Sequence, residues 1–336
     1  MLALERIFQD DHDIIDHMFA SDIEPHIRKF IEHFHPMCRE IFKNALDRDV
    51  SVMPGKLDIY VAGFPCQPFA RCGLRQGSLD HRGTVFSGVY QYIRDHLPAS
   101  FLLENVSSLP IDFTEEFHVM IGLLNEITDH NGHTMYNVWW EILHTDDHGL
   151  PQHRDRVFIV GCAKTFDVDE IAVWPDPATT RRSLTDILDM PQRIEDETPC
   201  TLNKTGIQNM MEIMQRFERQ ERAQVLVTQE YIHDIGGTKP HSMLNCSPCL
   251  TKTRCGSLGF YSSRRQRLLS ISDFLRLQGV RPSRFDQWET IVSRNRMGAM
   301  CGNAIPQCLI LPLLVNILRI MGWPIEEINF DDVDLR

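Results

Sequence analysis

The 336-residue chain predicts an α/β fold, a doubly wound and mostly parallel sheet, followed by a second, smaller domain. Three observations carry this. The first 162 residues alternate helix-like and strand-like segments, the pattern of parallel strands joined by crossover helices. Their apolar runs are short and stop at glycine and proline, as strands buried on both faces do. After Cys162 the texture changes, with Pro175, Pro177, Pro191 and Pro199 crowded together and acids at Glu195 to Glu197. At roughly 150 residues per domain the length fits two domains, and 43% hydrophobic with 24% charged residues is an ordinary globular composition.

In chain order, residues 26 to 33 have helical spacing. Leu57 to Ala62 reads as a strand ended by Gly63-Phe64-Pro65, and Phe86 to Leu97 as the helix after it. Ser100 to Leu103 is a second strand, running into Glu104-Asn105-Val106. Asn137 to His144 and Val157 to Cys162 are two more, separated by the polar turn Asp146 to Pro151. Residues from about 208 to 224 form a strong helical stretch, and Leu309 to Leu318 is apolar at nearly every position, which predicts a buried helix. The expected division is residues 1–162 with 290–336 as one domain and 163–289 as the other.

Several classes are excluded. The longest apolar runs, such as Cys308 to Val315, fall far short of the ~20 residues of a spanning helix, and no signal-peptide layout opens the chain. The expectation is an intracellular protein without a membrane partner, in the nucleus if the source is eukaryotic and in the cytoplasm if bacterial. Ten cysteines scattered through a chain able to bury its own core read as reduced thiols. The formal net charge of −12 rules out a uniformly basic coat, yet Thr251 to Met300 holds ten Lys and Arg against three acids. Within that stretch Arg264, Arg265 and Arg267 are the densest candidates for phosphate contacts.

Ligands of doubly wound sheets bind beyond the carboxyl ends of the strands. Cys66 and Glu104 each follow a predicted strand and would share that crevice if the strands are neighbours. A thiol held between Pro65 and Pro68 on a tight turn suits a nucleophile, although the loop alone also fits a buried structural cysteine. Here the motifs matter. Gly63-Phe64-Pro65-Cys66-Gln67-Pro68-Phe69, Arg82-Gly83-Thr84-Val85-Phe86, Glu104-Asn105-Val106, Gln152-His153-Arg154-Asp155-Arg156, Leu275-Arg276-Leu277-Gln278-Gly279 and Gly302-Asn303 resemble, in order, the motif set of the cytosine C5-specific DNA methyltransferases. The resemblance covers nearly the whole chain except about 163–245, the family's variable target-recognition region.

The resemblance implies the fold of the S-adenosylmethionine-dependent methyltransferases, with 163–289 as the target-recognition domain. It implies Cys66 as the nucleophile that adds to carbon 6 of a flipped-out cytosine, and Glu104 as the acid near N3. Arg154 and Arg156 would flank the base. S-adenosylmethionine is the implied methyl donor. For it, Asp22 matches the acid that takes the ribose hydroxyls and Ile23 the apolar residue on the adenine. Asn44 stands where the family usually has an aspartate, and Pro65, Val85 and Asn303 would line the rest of the pocket. Gln67 and Gln152 join the three arginines as nucleic-acid contacts. Family members open on a strand and a Phe-x-Gly-x-Gly-like loop; this sequence has neither, and Met1 to Phe8 resembles the helix that follows, so the expectation is a chain starting just inside the fold.

Duplex DNA is the expected partner. Two alternatives stay open. One is a truncated, catalytically silent nucleic-acid-binding homologue. The other is a tRNA cytosine-5 methyltransferase: that branch carries Cys-Phe-Thr, and this chain has Cys249-Leu250-Thr251. His241, Cys246, Cys249 and Cys255 have enough donors for one tetrahedral zinc, but a turn explains their spacing equally, and no metal is expected.

Overall fold

The computed structural model describes residues 1–9, 13–46, 53, 55–65, 85–166, 173–190, 202–219, 225–326, 328 and 335. The chain divides into two compact units. The first is Met1–Leu143, Asp155–Pro175 and Pro312–Glu327; the second is His144–Arg154, Asp176–Leu311 and Ile328–Arg336. The boundaries differ from the expected division: residues 144–154 and 290–311 fall in the second unit and 163–175 in the first.

The first unit opens with α1 (Leu2–Ile7), β1 (Ala20–Ser21), α2 (Pro25–Phe34) and β2 (Ile41–Phe42). Pro25 sits at the start of α2, where its missing N–H costs nothing. β1 and β2 pair in parallel, Ser21 opposite Phe42. Next come β3 (Ile59–Gly63), α3 (Val85–His96), β4 (Ser100–Val106), α4 (Ser108–Asp112), α5 (Thr114–Asn125), β5 (Tyr136–His144) and β6 (Asp155–Ala163). These four strands form one sheet in the order β3-β4-β6-β5.

β3 and β4 are parallel, as the intervening helix predicts, and Gly63 faces Glu104 across the pair. β4 and β6 are antiparallel, with Val106 opposite Arg156. β5 and β6 run antiparallel as well: Thr145 N–H donates to the Arg154 carbonyl at 3.0 Å and Lys164 N–H to that of Met135 at 2.8 Å. The sheet is therefore mixed. The segment joining β5 to β6 is shorter than the dozen or more residues a parallel crossover needs. β4 also runs past its expected end at Leu103. Both neighbours continue the ladder, so Glu104 lies inside the strand rather than beyond it.

Every residue of β4 but the last is buried. Phe101 and Leu103 pack with Tyr60, Tyr92, Phe117 and Tyr136 in one core, while Leu102 is buried on the opposite face. Burial of each such side chain stabilises by about 1.5–3 kcal/mol.

The second unit contains α6 (Leu184–Asp189), α7 (Lys204–Arg219), α8 (Val225–Thr228), β7 (Tyr231–Asp234), β8 (His241–Leu244), α9 (Lys252–Gly256), β9 (Phe260–Ser262), β10 (Arg267–Leu268), α10 (Ile271–Leu277) and α11 (Arg294–Asn303). Its sheet, in the order β10-β9-β7-β8, is antiparallel throughout. α7 begins about four residues before the helix read from the sequence and buries Asn209, Ile213 and Phe217 at helical spacing. Ile213 and Phe217 form a small core with Leu226, Tyr231 and Ile235. The last helix, α12 (Gln307–Ile320), is the expected apolar one. Leu309, Leu311, Leu313, Leu314 and Ile317 are buried, and the division between the units falls at Pro312.

Candidate active site

The ends of β3, β4 and β6 bring one group of predicted residues together in the first unit. Glu104 and Arg156 both have side chains only 11% exposed, and they form an ion pair with Arg156 Nε 2.9 Å from Glu104 Oε1. Arg156 Nη1 also donates to the Asp155 carbonyl at 2.6 Å. The other carboxylate oxygen, Oε2, lies against Gly63: a Cβ there would be 3.3 Å away. Glycine at the end of β3 thus leaves room for the carboxylate on the neighbouring strand.

Asn105, which the sequence reading did not single out, fixes what comes next. Its Nδ2 donates to the Phe64 carbonyl at 3.0 Å, and its Oδ1 accepts the Val106 N–H at 2.8 Å. The buried Phe64 ring and this bond set the direction in which the chain leaves β3. Pro65 is exposed there. Cys66 and Gln67 follow immediately and lie outside the described residues. The available signal for Asn105 was its place beside Glu104 in one motif block.

A second cluster stands at the carboxyl ends of β1 and β2. Asp22 N–H continues the ladder to the Phe42 carbonyl at 3.2 Å. Asp22 Oδ1 accepts the Glu24 N–H at 2.8 Å, which closes a tight turn. Ile23, on that turn, is 65% exposed. Asn44 lies just past the end of β2 and uses its Oδ1 on the Leu46 N–H at 3.0 Å. Val85 opens α3 and packs partly against the main core. An acid, an exposed aliphatic surface and an amide at the ends of parallel neighbours fit a nucleoside, which offers a diol, a flat apolar ring and an exocyclic amine.

In the second unit four predicted site residues, Gln152, Arg154, Arg265 and Arg267, have partners within the chain. Gln152 is completely buried: its Nε2 donates to the Leu277 carbonyl at 2.8 Å and its Oε1 accepts the Leu250 N–H at 3.3 Å. It is therefore not presented to nucleic acid. Arg154, 2% exposed, donates from Nη1 to the carbonyls of Leu250 and Gly302 (the latter 3.1 Å) and from Nη2 to that of Ala304 at 2.9 Å. A guanidinium spent on three carbonyls of its own chain holds backbone in place, so the substrate-flanking role expected for it does not match its position.

The same two segments meet through glycine. α9 and α11 pack so closely that a Cβ at Gly302 would overlap the Thr251 carbonyl, and one at Gly298 that of Cys255. Asn303, the last residue of α11, is exposed.

Of the dense arginine group, Arg265 pairs with the buried Glu230 and with Asp189 at 2.5 Å. Arg267 pairs with Asp273, which caps α10. Arg264 is exposed. Desolvation explains the pairing, since a charge removed from water must be compensated by a partner.

Cys162, Cys301 and Cys308 are buried, and burial pushes the Cys162 thiol up to about 12. Among the described residues no three His, Cys, Asp or Glu side chains are placed to hold a metal ion, so His241, Cys246, Cys249 and Cys255 do not assemble a site.

Residues 2–319 match the family model of the C-5 cytosine-specific DNA methylases. The chain is 33% identical over 191 residues to the type II methyltransferase M.NlaX of Neisseria lactamica, covering 56% of this chain and 55% of that one. It is 27% identical over 329 residues to the type II methyltransferase M.DsaV of Dactylococcopsis salina, covering 95% and 84%. With M.NlaX, then, the match spans about half the relative's length. Among solved structures, S. pombe Dnmt2 methyltransferase superposes with a TM-score of 0.61 at 15% identity, covering 96% of each chain. Spodoptera frugiperda DNMT2 gives 0.56 at 14%, covering 94% and 96%. These likenesses show a shared methyltransferase fold. The family match spans nearly the whole chain, and the chain belongs to the C-5 cytosine-specific DNA methylase family.

Proposed function

We propose that the protein is a DNA (cytosine-5-)-methyltransferase that works through Cys66 on a cytosine flipped out of duplex DNA. The observation that carries this reading is the Glu104–Arg156 pair, sheltered beside Gly63 where the chain leaves β3 toward Cys66. Carbon 5 of cytosine is a poor nucleophile within its aromatic ring. Addition of the Cys66 thiolate at carbon 6 breaks the ring's 5,6 double bond and makes carbon 5 an enamine carbon. The charge moved onto the ring is dispersed when Glu104 gives a proton or hydrogen bond at N3.

Arg156 holds the Glu104 carboxyl in place, and Asn105 fixes the loop root from which Cys66 departs. S-adenosylmethionine, when bound, supplies an electrophilic methyl group. Asp22, Ile23, Asn44 and Val85 would hold its adenosine half. After transfer a base removes the carbon 5 proton and the Cys66 sulfur leaves, restoring the double bond.

The target base is unreachable inside the stack, so flipping is required. Arg264, exposed beside the internally paired Arg265 and Arg267, supplies a phosphate contact in the second unit. Residues 163–289 act as the target-recognition part, and 1–162 with 290–336 as the catalytic part.

Glu104→Gln tests the reading. It should slow single-turnover methyl transfer by about 100-fold, within the range of a general acid, and leave the cofactor dissociation constant within about twofold. A variant that only weakens cofactor binding would remove Glu104 from the chemistry.

A further inference from the structure

We propose that Arg28, on α2, is a positioning residue for the adenosine half of the cofactor; the inference rests on the placement of that half at Asp22 and Ile23. Arg28 Nη1 donates to the carbonyls of two successive residues, Asp22 at 2.7 Å and Ile23 at 2.8 Å. The side chain comes from five and six residues further along the chain, back across the turn that joins β1 to α2.

That turn is held from three other directions. Strand pairing fixes Asp22 through the Phe42 carbonyl. Asp22 Oδ1 takes the Glu24 N–H. Pro25 restricts the residue before it to extended backbone, and Glu24 has φ −80° and ψ 118°. None of these holds the carbonyl of Ile23, which without Arg28 could turn and let the side chain fold down.

Ile23 is 65% exposed. Exposure at this level leaves the Ile23 side chain open to cover the apolar face of a ligand. With both carbonyls drawn toward α2, the Ile23 side chain is held as an apolar platform one residue from the Asp22 carboxylate. A purine ring with a vicinal diol one sugar away matches this spacing of functions. Ordering the turn beforehand removes a conformational-entropy cost that binding would otherwise carry.

The test uses the full chain, S-adenosylhomocysteine as the calorimetric probe, and the variants Arg28→Met, Arg28→Lys and Asp22→Ala. Arg28→Met, which keeps the apolar stem and removes the donors, should raise the dissociation constant about tenfold. Arg28→Lys should recover part of the loss. The KM for S-adenosylmethionine should rise in parallel, the effect appearing there rather than in kcat, while the unliganded melting temperature moves by less than about 2 °C.

If Asp22→Ala weakens binding and Arg28→Met does not, the positioning role is overturned and the cofactor reading stands. If Arg28→Met lowers the melting temperature and kcat along with affinity, the contact is only structural and the proposal also fails. If the wild type binds without dependence on Asp22, the cofactor reading itself fails and takes this inference with it.

Discussion

Replacing Arg154 by methionine tests the most unexpected placement in the structure. The guanidinium is 2% exposed and donates to the Leu250, Gly302 and Ala304 carbonyls. A charge-assisted hydrogen bond contributes about 1.5–3 kcal/mol, so three give roughly 5–9 kcal/mol before the cost of keeping a cation out of water is subtracted. Losing one partner of a buried charged arrangement nets about 3–5 kcal/mol in comparable cases.

For a unit of this size each kcal/mol moves the melting temperature by roughly 2–4 °C, and Arg154→Met should melt about 10 °C lower. Lysine, which cannot span the three carbonyls as a planar fork does, should rescue less than half. The assay is thermal melting by circular dichroism beside DNA titrations at several salt concentrations. If Arg154→Met instead melts within about 2 °C of wild type while the salt slope of DNA binding falls by about one, Arg154 contacts phosphate and the clamp is refuted.

Three further outcomes follow from the same geometry. His233, 1% exposed and 2.7 Å from Ser242 Oγ, has its imidazole pushed down by burial to about 4. The unfolded chain binds that proton near 6.5, so stability is full above about 6.5 and falls by about 3 kcal/mol as pH drops toward 4; His233→Gln should flatten this part of the stability profile, and an unchanged profile would place the group in water. Gly302→Ala would push a methyl into the Thr251 carbonyl and should cost about 1–3 kcal/mol in urea denaturation, whereas a neutral substitution would mean that α9 and α11 pack less closely than described. Arg264→Gln should lower DNA affinity and its salt slope without affecting stability, while Arg265→Met, which strands the buried Glu230, should cost about 3–5 kcal/mol; the reverse pattern would exchange the two roles.

Much of the first unit was legible because its strands are written as short apolar runs. Ile59 to Ala62 and Phe101 to Leu103 are such runs, although only β4 is buried along its length while β3 keeps Val61 exposed, and the parallel pairing of β3 with β4 follows from the helix between them. The length of β4 was not legible, since Glu104 and Asn105 interrupt the apolar pattern while their backbones stay in the ladder.

The roles of Gln152 and Arg154 were hidden for a related reason. Their partners are backbone carbonyls and an amide about 100 to 150 residues away, and a backbone acceptor leaves no trace in residue type. The arginine-rich stretch misled similarly: Arg265 and Arg267 read as a surface charge cluster, yet their counter-ions Glu230, Asp189 and Asp273 come partly from distant strands and helices. Asp22 and Ile23 were assigned by motif alone, and nothing in the local pattern pointed to the two bonds that Arg28 makes across their turn. Cys66 and Gln67 rest on the motif alone, lying outside the described residues.

The most direct test of the central claim is transfer of tritiated methyl from S-adenosylmethionine to cytosine-containing duplex DNA, with total tRNA as the parallel substrate and Cys66→Ser as the paired variant. Wild type should label the DNA at carbon 5 of cytosine, and the variant should bind DNA and melt as wild type does yet label nothing. Label on DNA retained by Cys66→Ser, or label confined to tRNA, would contradict the account.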